Sequence, residues 1–124
     1  RTYFNRVRTR AANQDAWVKT SDGKNAANYV ISNYTTAFAS KDAARAAVQF
    51  ERKLELSGEG HRFYDLVRWG NVSTVINAFI TYEAQKLPLG YSGAKFTANK
   101  DEYMPIPQVQ IDYQAGVLKQ NPGY

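Results

Sequence analysis

Three features of the sequence predict a mainly α-helical chain with irregular loops and at most one small β-hairpin. Apolar residues recur at spacings of three and four in several stretches. Strong helix formers behind a capping serine fill residues 40–57. Glycine, asparagine and all four prolines gather from residue 88 onward, where turns should replace regular structure.

Taken in order, Tyr3, Phe4, Val7 and Ala11 fall at helical spacing, with Arg6 and Arg10 one turn apart on another face, so residues 2–11 are expected to be helical. Residues 13–39 hold the turn residues Ser21, Asp22 and Gly23 and many small polar groups without a sustained period. They read as a long connection with a short helical turn around 26–33. Ser40 then offers an N-cap and Asp42 a first-turn negative charge. The helix that follows carries the stripe Ala43, Ala47, Phe50, Leu54 and Ser57, and Gly58 and Gly60 end it. A second helix over residues 61–69 presents Phe63, Leu66 and Val67 to one side and stops at Gly70. Val72, Val75, Ile76, Phe79 and Ile80 form the stripe of a third, residues 71–86, closed by Pro88. Farther on, KFT and EYM on either side of ANKD are the candidate hairpin, and Pro107 suits the first position of a short helix running to Ile111.

Composition excludes several kinds of chemistry. No cysteine occurs, which removes disulfides, thiolate metal sites and cysteine nucleophiles, and a single histidine cannot build a multi-histidine metal cage. No apolar run approaches the ~18 to 20 residues needed to cross a bilayer. A net charge of +5 and a pI near 9.5 raise nucleic acid as a partner. Within residues 51–70, however, cations alternate with Glu and Asp, whereas a phosphate-binding face concentrates one sign. The chain opens inside an amphipathic pattern with no initiator Met, so residues 1–124 read as a fragment of a longer chain.

The stretch ERKLELSGEGHRFYDLVRWG concentrates most of the charge pattern that needs explaining. Glu51, Glu55 and Glu59 recur every four residues, and like charges at that spacing repel by ~0.2 to 0.5 kcal/mol per pair unless offset. Arg52 with Glu55, Glu59 with Arg62 and Asp65 with Arg68 are pairs at i, i+3, and Arg6 and Arg10 are placed to meet the stripe from a neighbouring helix. A half-buried ion-pair lattice clamping the helices is the expectation, with Glu55→Ala costing a few kcal/mol if its pair is buried. The competing reading makes Glu55 and Glu59 a general acid and base with His61 assisting. Nearby arginines argue against it by keeping both carboxylates ionised, and no nucleophile elbow or oxyanion loop accompanies them. His61 reads as a hydrogen-bonded capping residue, and Trp69 as a core anchor with its indole N–H on a carbonyl.

The same stretch resembles a signature near the C-terminus of the SusD/RagB family of nutrient-binding outer-membrane lipoproteins, ERR-x-EL-x-x-EGHR-x-x-DL-x-RWG. NRVRTRAA resembles that family's N-x-VR-x-RAG helix end, and YMPIPQVQIDYQAGVLKQNPGY its closing LPIP-x-x-EID-x-N-x-x-L-x-QNPGY. Lys53, Ser57, Gly58, Ala12, Gln110, Tyr113 and Gln114 depart from the pattern. The resemblance implies a tetratricopeptide-like helical fold of SusD type, of which residues 1–124 would be the C-terminal segment, and a non-catalytic role without cofactor or metal. It further implies capture of an oligosaccharide or peptide and delivery to a SusC-like TonB-dependent transporter. Location on the extracellular face of the outer membrane would follow, through a lipid anchor on the N-terminal part, with no nucleic-acid partner.

Under that resemblance Arg6, Arg10, Glu51, Arg52, Glu55, Glu59, His61, Arg62, Asp65, Arg68 and Trp69 are structural signature residues, and none is carried over as a binding residue. Aromatic rings are natural platforms for the apolar faces of sugars. Trp17, Tyr29 and Tyr34 in the irregular region and Tyr82 and Tyr91 later supply such rings, Trp17 being the candidate ligand contact. Isolated loop aromatics more often tack a loop down. An alternative function of another class is a helical docking module for a protein partner, with no small-molecule ligand.

Overall fold

The computed structural model describes residues 1–124. Six α-helices form: α1 (Thr2–Ala11), α2 (Lys41–Glu55), α3 (Arg62–Trp69), α4 (Val72–Ala84), α5 (Pro88–Tyr91) and α6 (Gln108–Tyr113), with a 3-10 turn at Gln14–Ala16 and no strand. They fall into two compact units, Arg1–Ser57 and Gly58–Tyr124.

In the first unit, α2 starts as its sequence requires: Ser40 Oγ accepts from the Ala43 N–H at 3.1 Å. Its inward face differs from the expected stripe. Phe50 and Leu54 are 49% and 53% exposed, and the half-buried positions are Ala44, Ala47, Gln49, Glu51 and Arg52. The helix is rotated toward its ion-pairing side because Glu51 is bound to Arg8 of α1.

The helical turn expected around 26–33 does not form. Residues 32–35 instead run along α1, whose side chains take up their polar groups: Arg8 donates to the Ser32 carbonyl at 2.6 Å, Thr9 bonds Asn33, and Arg1 donates to the Thr35 carbonyl at 3.0 Å. The Asn5 carboxamide grips Tyr34 in both directions, accepting from its N–H at 2.9 Å and donating to its carbonyl at 3.0 Å. Groups engaged this way are not free for i→i+4 bonds. Phe4, Tyr34 and Phe38 close the return with ring contacts of 5.1 to 5.8 Å.

In the second unit, α3 ends in a Schellman arrangement at Gly70, φ +73°, with Gly70 N–H on Val67 O and Asn71 N–H on Leu66 O. That tight reversal launches α4 one residue later. Leu66, Val72 and Phe96 form the buried core, with Val67, Trp69, Val75 and Ile76 packed against it.

The candidate hairpin is not made, because its strand groups are committed elsewhere. Asn77 of α4 accepts from the Phe96 N–H and donates to the Phe96 carbonyl, both at 2.9 Å. Asp101 accepts from the Thr97 N–H, and residues 97–101 form a turn with Asn99 at φ +62°. Pro107 caps α6 instead of opening it, one residue from the expected register. A third carboxamide grip joins the two ends of the closing motif. Gln120 accepts from and donates to the Ile106 backbone at 2.8 Å each, Asn121 donates to the Met104 carbonyl, and the Tyr124 hydroxyl donates to the Tyr103 carbonyl. Gly123, at φ +85°, lies where a Cβ would stand 2.9 Å from the Lys100 side chain.

Candidate functional site

The polar centre of the first unit is Arg8, which the sequence reading passed over in favour of its neighbours. It is on the same side of α1 as Phe4, one turn away. Its Nε and Nη2 donate to Glu51 Oε1 at 2.9 and 2.5 Å, and its guanidinium lies 4.3 Å from the centre of the Tyr34 ring. The Tyr34 hydroxyl donates to the same carboxylate at 3.3 Å. With side chains only 17% and 15% exposed, Arg8 and Glu51 form the half-buried pair. The hydrogen bond to Glu51 raises the Arg8 pKa above its ordinary value, against the opposing effect of burial. Beside the pair is a hollow of about 220 Å³ lined by Val7, Ala11, Val30, Ile31 and Leu54.

Arg6, expected to meet the stripe, is instead exposed on α1. Arg10 does reach Glu55, but this pair is open to solvent, the side chains being 68% and 41% exposed. The burial on which a cost of a few kcal/mol depended is absent here, so Glu55→Ala should lower stability by less than about 1 kcal/mol, since exposed pairs gain little over water. Urea denaturation checks this value. Arg52 is half-buried on α2.

In the second unit, Asp65 is buried at 6% exposure and accepts from Arg68 at 2.7 Å, the expected i, i+3 pair. Glu59 does not pair with Arg62. Its carboxylate is 3.9 Å from His61 Nε2, while the Arg62 guanidinium lies 5.7 Å from the Trp69 ring centre. Glycines in left-handed conformation at 58 and 60 set this local geometry. His61 occupies the N-cap of α3 without a side-chain capping bond. Trp69 packs on the core as expected, its close polar neighbour being Arg62 and not a carbonyl.

Trp17 stacks on Tyr29 with ring centres 4.7 Å apart and planes at 26°, and its indole N–H donates to the Ala11 carbonyl at 2.9 Å. Between the two rings the chain makes a small reversal, with a bridge between Lys19 and Asn25 and bonds from Thr20 N–H to Lys24 O and Ala26 N–H to Val18 O. Lys24 and the Thr20 hydroxyl both bond Asp22, holding its carboxyl below the ordinary pKa.

Glu51, Glu55 and Asp65 are thus each met by an arginine, Arg62 lies against the Trp69 ring, and three Asn or Gln carboxamides lock irregular chain in place. The family model described as the SusD family matches residues 1–124. The chain belongs to the SusD family. No curated protein matches it. SusD proteins bind nutrients at the cell surface, work with SusC-like transporters and are generally non-catalytic. Location at the outer membrane as a lipoprotein is the family's general pattern, and no helix here is long and apolar enough to cross a membrane. Within this SusD chain, Arg8, Asn5, Asn77 and Gln120 are the contributors that sequence reasoning missed. The available signal was their position: Arg8 shares the stripe of Phe4, and Asn77 lies one residue beyond Ile76 in the stripe of α4.

Proposed function

We propose that this protein captures an oligosaccharide or peptide nutrient at the extracellular face of the outer membrane and passes it, without catalysis, to a SusC-like TonB-dependent transporter. A lipid on an N-terminal portion outside these residues would hold it there. The carrying observation is the family match over residues 1–124. The geometry supports a framework role for the signature residues, because the Arg8–Glu51 pair is half-buried and shared with Tyr34. Arg52, Arg62, Asp65, Arg68 and Trp69 are assigned the same role, and the exposed Arg10, Glu55, Glu59 and His61 a smaller share of it. Calorimetric titration of the full-length protein with neutral oligosaccharides and with peptides is expected to give saturable heat with one class. Silence with both would overturn the reading. Met104, Tyr113 and Val117, each at least 80% exposed, favour a second reading as a protein-docking module. Silence in calorimetry together with retained transporter binding in a pull-down would select it.

A further inference from the structure

We propose that the outward face of α1 around Arg6 is a docking surface for an acidic, aspartate- or glutamate-bearing segment of a protein partner, an interaction separate from nutrient capture. Charge points there first. Residues 1–57 hold ten of the sixteen Lys and Arg but only five of the eleven Asp and Glu, so the first unit carries the whole net charge of +5 and the second is neutral. Within the first unit Glu51, Glu55, Asp22 and Asp42 are each already paired, with Arg8, Arg10, Lys24 and Arg45 in turn. What is left over is positive, and such a surplus attracts an anionic partner.

On α1 the surplus has a definite place. Arg1, Thr2, Asn5, Arg6 and Thr9 line an open hollow of about 530 Å³, with no carboxylate among them. Three of the five are tied to the returning chain: Asn5 grips the Tyr34 backbone, Thr9 bonds Asn33, and one Arg1 nitrogen donates to the Thr35 carbonyl. The Arg6 guanidinium is exposed and makes no hydrogen bond or ion pair, so all five of its N–H groups remain for an incoming acceptor. Its planar fork matches a carboxylate through two parallel bonds. Tyr3, 79% exposed, is one turn from Arg6 on the same helix. Tyrosine and arginine are the residue types that most often anchor protein interfaces. A lipid surface asks for a larger cluster of about four to eight cations. Two arginines at one hollow suit a protein segment that brings one or two carboxylates.

The test uses the full-length protein labelled with ¹⁵N-arginine, the Arg6 Nε–Hε resonance being assigned by its loss in Arg6→Gln. The probes are a fluorescent peptide of alternating aspartate and serine, its asparagine counterpart, inorganic phosphate, and vesicles of phosphatidylcholine with phosphatidylglycerol. Support would be a shift of the Arg6 resonance by the aspartate peptide and not by the asparagine peptide, with affinity that weakens as salt is added. Affinity should fall about five- to tenfold in Arg6→Gln and stay within about twofold in Lys53→Gln, an exposed cation of α2 outside the hollow. Both variants keep a good helix former at an exposed position, so the fold is retained. Equal losses in the two variants would show attraction to net charge alone and overturn the surface. An unmoved Arg6 resonance, or no binding of the aspartate peptide, overturns it as well. Binding of phosphate or vesicles without the aspartate peptide overturns the protein segment as occupant. None of these outcomes bears on nutrient capture.

Discussion

Glu51→Ala is expected to lower the stability of the N-terminal unit by about 2 to 3 kcal/mol, several times the effect of Glu55→Ala. Both glutamates face arginines of α1, but their surroundings differ. Glu51 receives two guanidinium N–H bonds and the Tyr34 hydroxyl with little access to water, so its removal strands a half-buried cation. Glu55 and Arg10 each retain solvent when the other is lost. Arg8→Lys should keep the charge yet lose part of the stability, since an ammonium cannot reproduce the fork. A double-mutant cycle with Arg8→Ala and Glu51→Ala, read by urea unfolding and circular dichroism, should return a coupling above about 1.5 kcal/mol. A coupling below ~0.5 kcal/mol would show that the pair does not clamp the helices.

Asn77→Asp should destabilise the C-terminal unit by about 2 to 4 kcal/mol near neutral pH, although it alters a single atom type. The donor 2.9 Å from the Phe96 carbonyl becomes a charged oxygen, and two acceptors then face each other beside a buried ring. The sign of the pH dependence follows from the same contact. Facing a carbonyl raises the folded-state pKa of the new carboxyl, and its protonated form donates as the amide did. The deficit should therefore shrink as pH falls through that raised value. Trp69 fluorescence reports the event, because this ring packs on the Leu66, Val72 and Phe96 core. Equal stability of variant and parent at pH 7 would mean that the Asn77 grip is replaceable by water.

Local patterning carried much of the fold. Ser40 at the start of α2, Gly70 at the end of α3 and Pro88 beyond α4 each act through the backbone of their own neighbourhood, so they were readable without knowing the fold. The hairpin at 95–104 failed for the opposite reason. KFT and EYM have strand-like composition, but the amide and carbonyl of Phe96 are claimed by Asn77, nineteen positions away. At the end of the 26–33 segment the competition is similar: Arg8 takes the Ser32 carbonyl, and Asn5 takes the Tyr34 N–H that would have closed the last turn. Propensity describes what a segment does when nothing else competes for its hydrogen bonds.

Of the candidate site, the residue types were legible and the partners were not. An ion-pair lattice between α1 and the glutamate stripe followed from the i, i+4 repeat of Glu51 and Glu55, because repeated like charge on one face demands cations nearby. Which arginine answers depends on the rotation of α1 about its own axis, and that rotation is set by the grip of Asn5 on Tyr34 and the packing of Phe4. Arg8 rather than Arg6 therefore turns inward.

What this sequence determined by itself was helical content, most helix ends and family, since each is written in short-range patterns of capping, spacing and motif. Tertiary structure decided which charges lose their water and which backbone groups are held by distant carboxamides. Those outcomes depend on burial and reach across the chain, and neither is a property of a residue or its near neighbours.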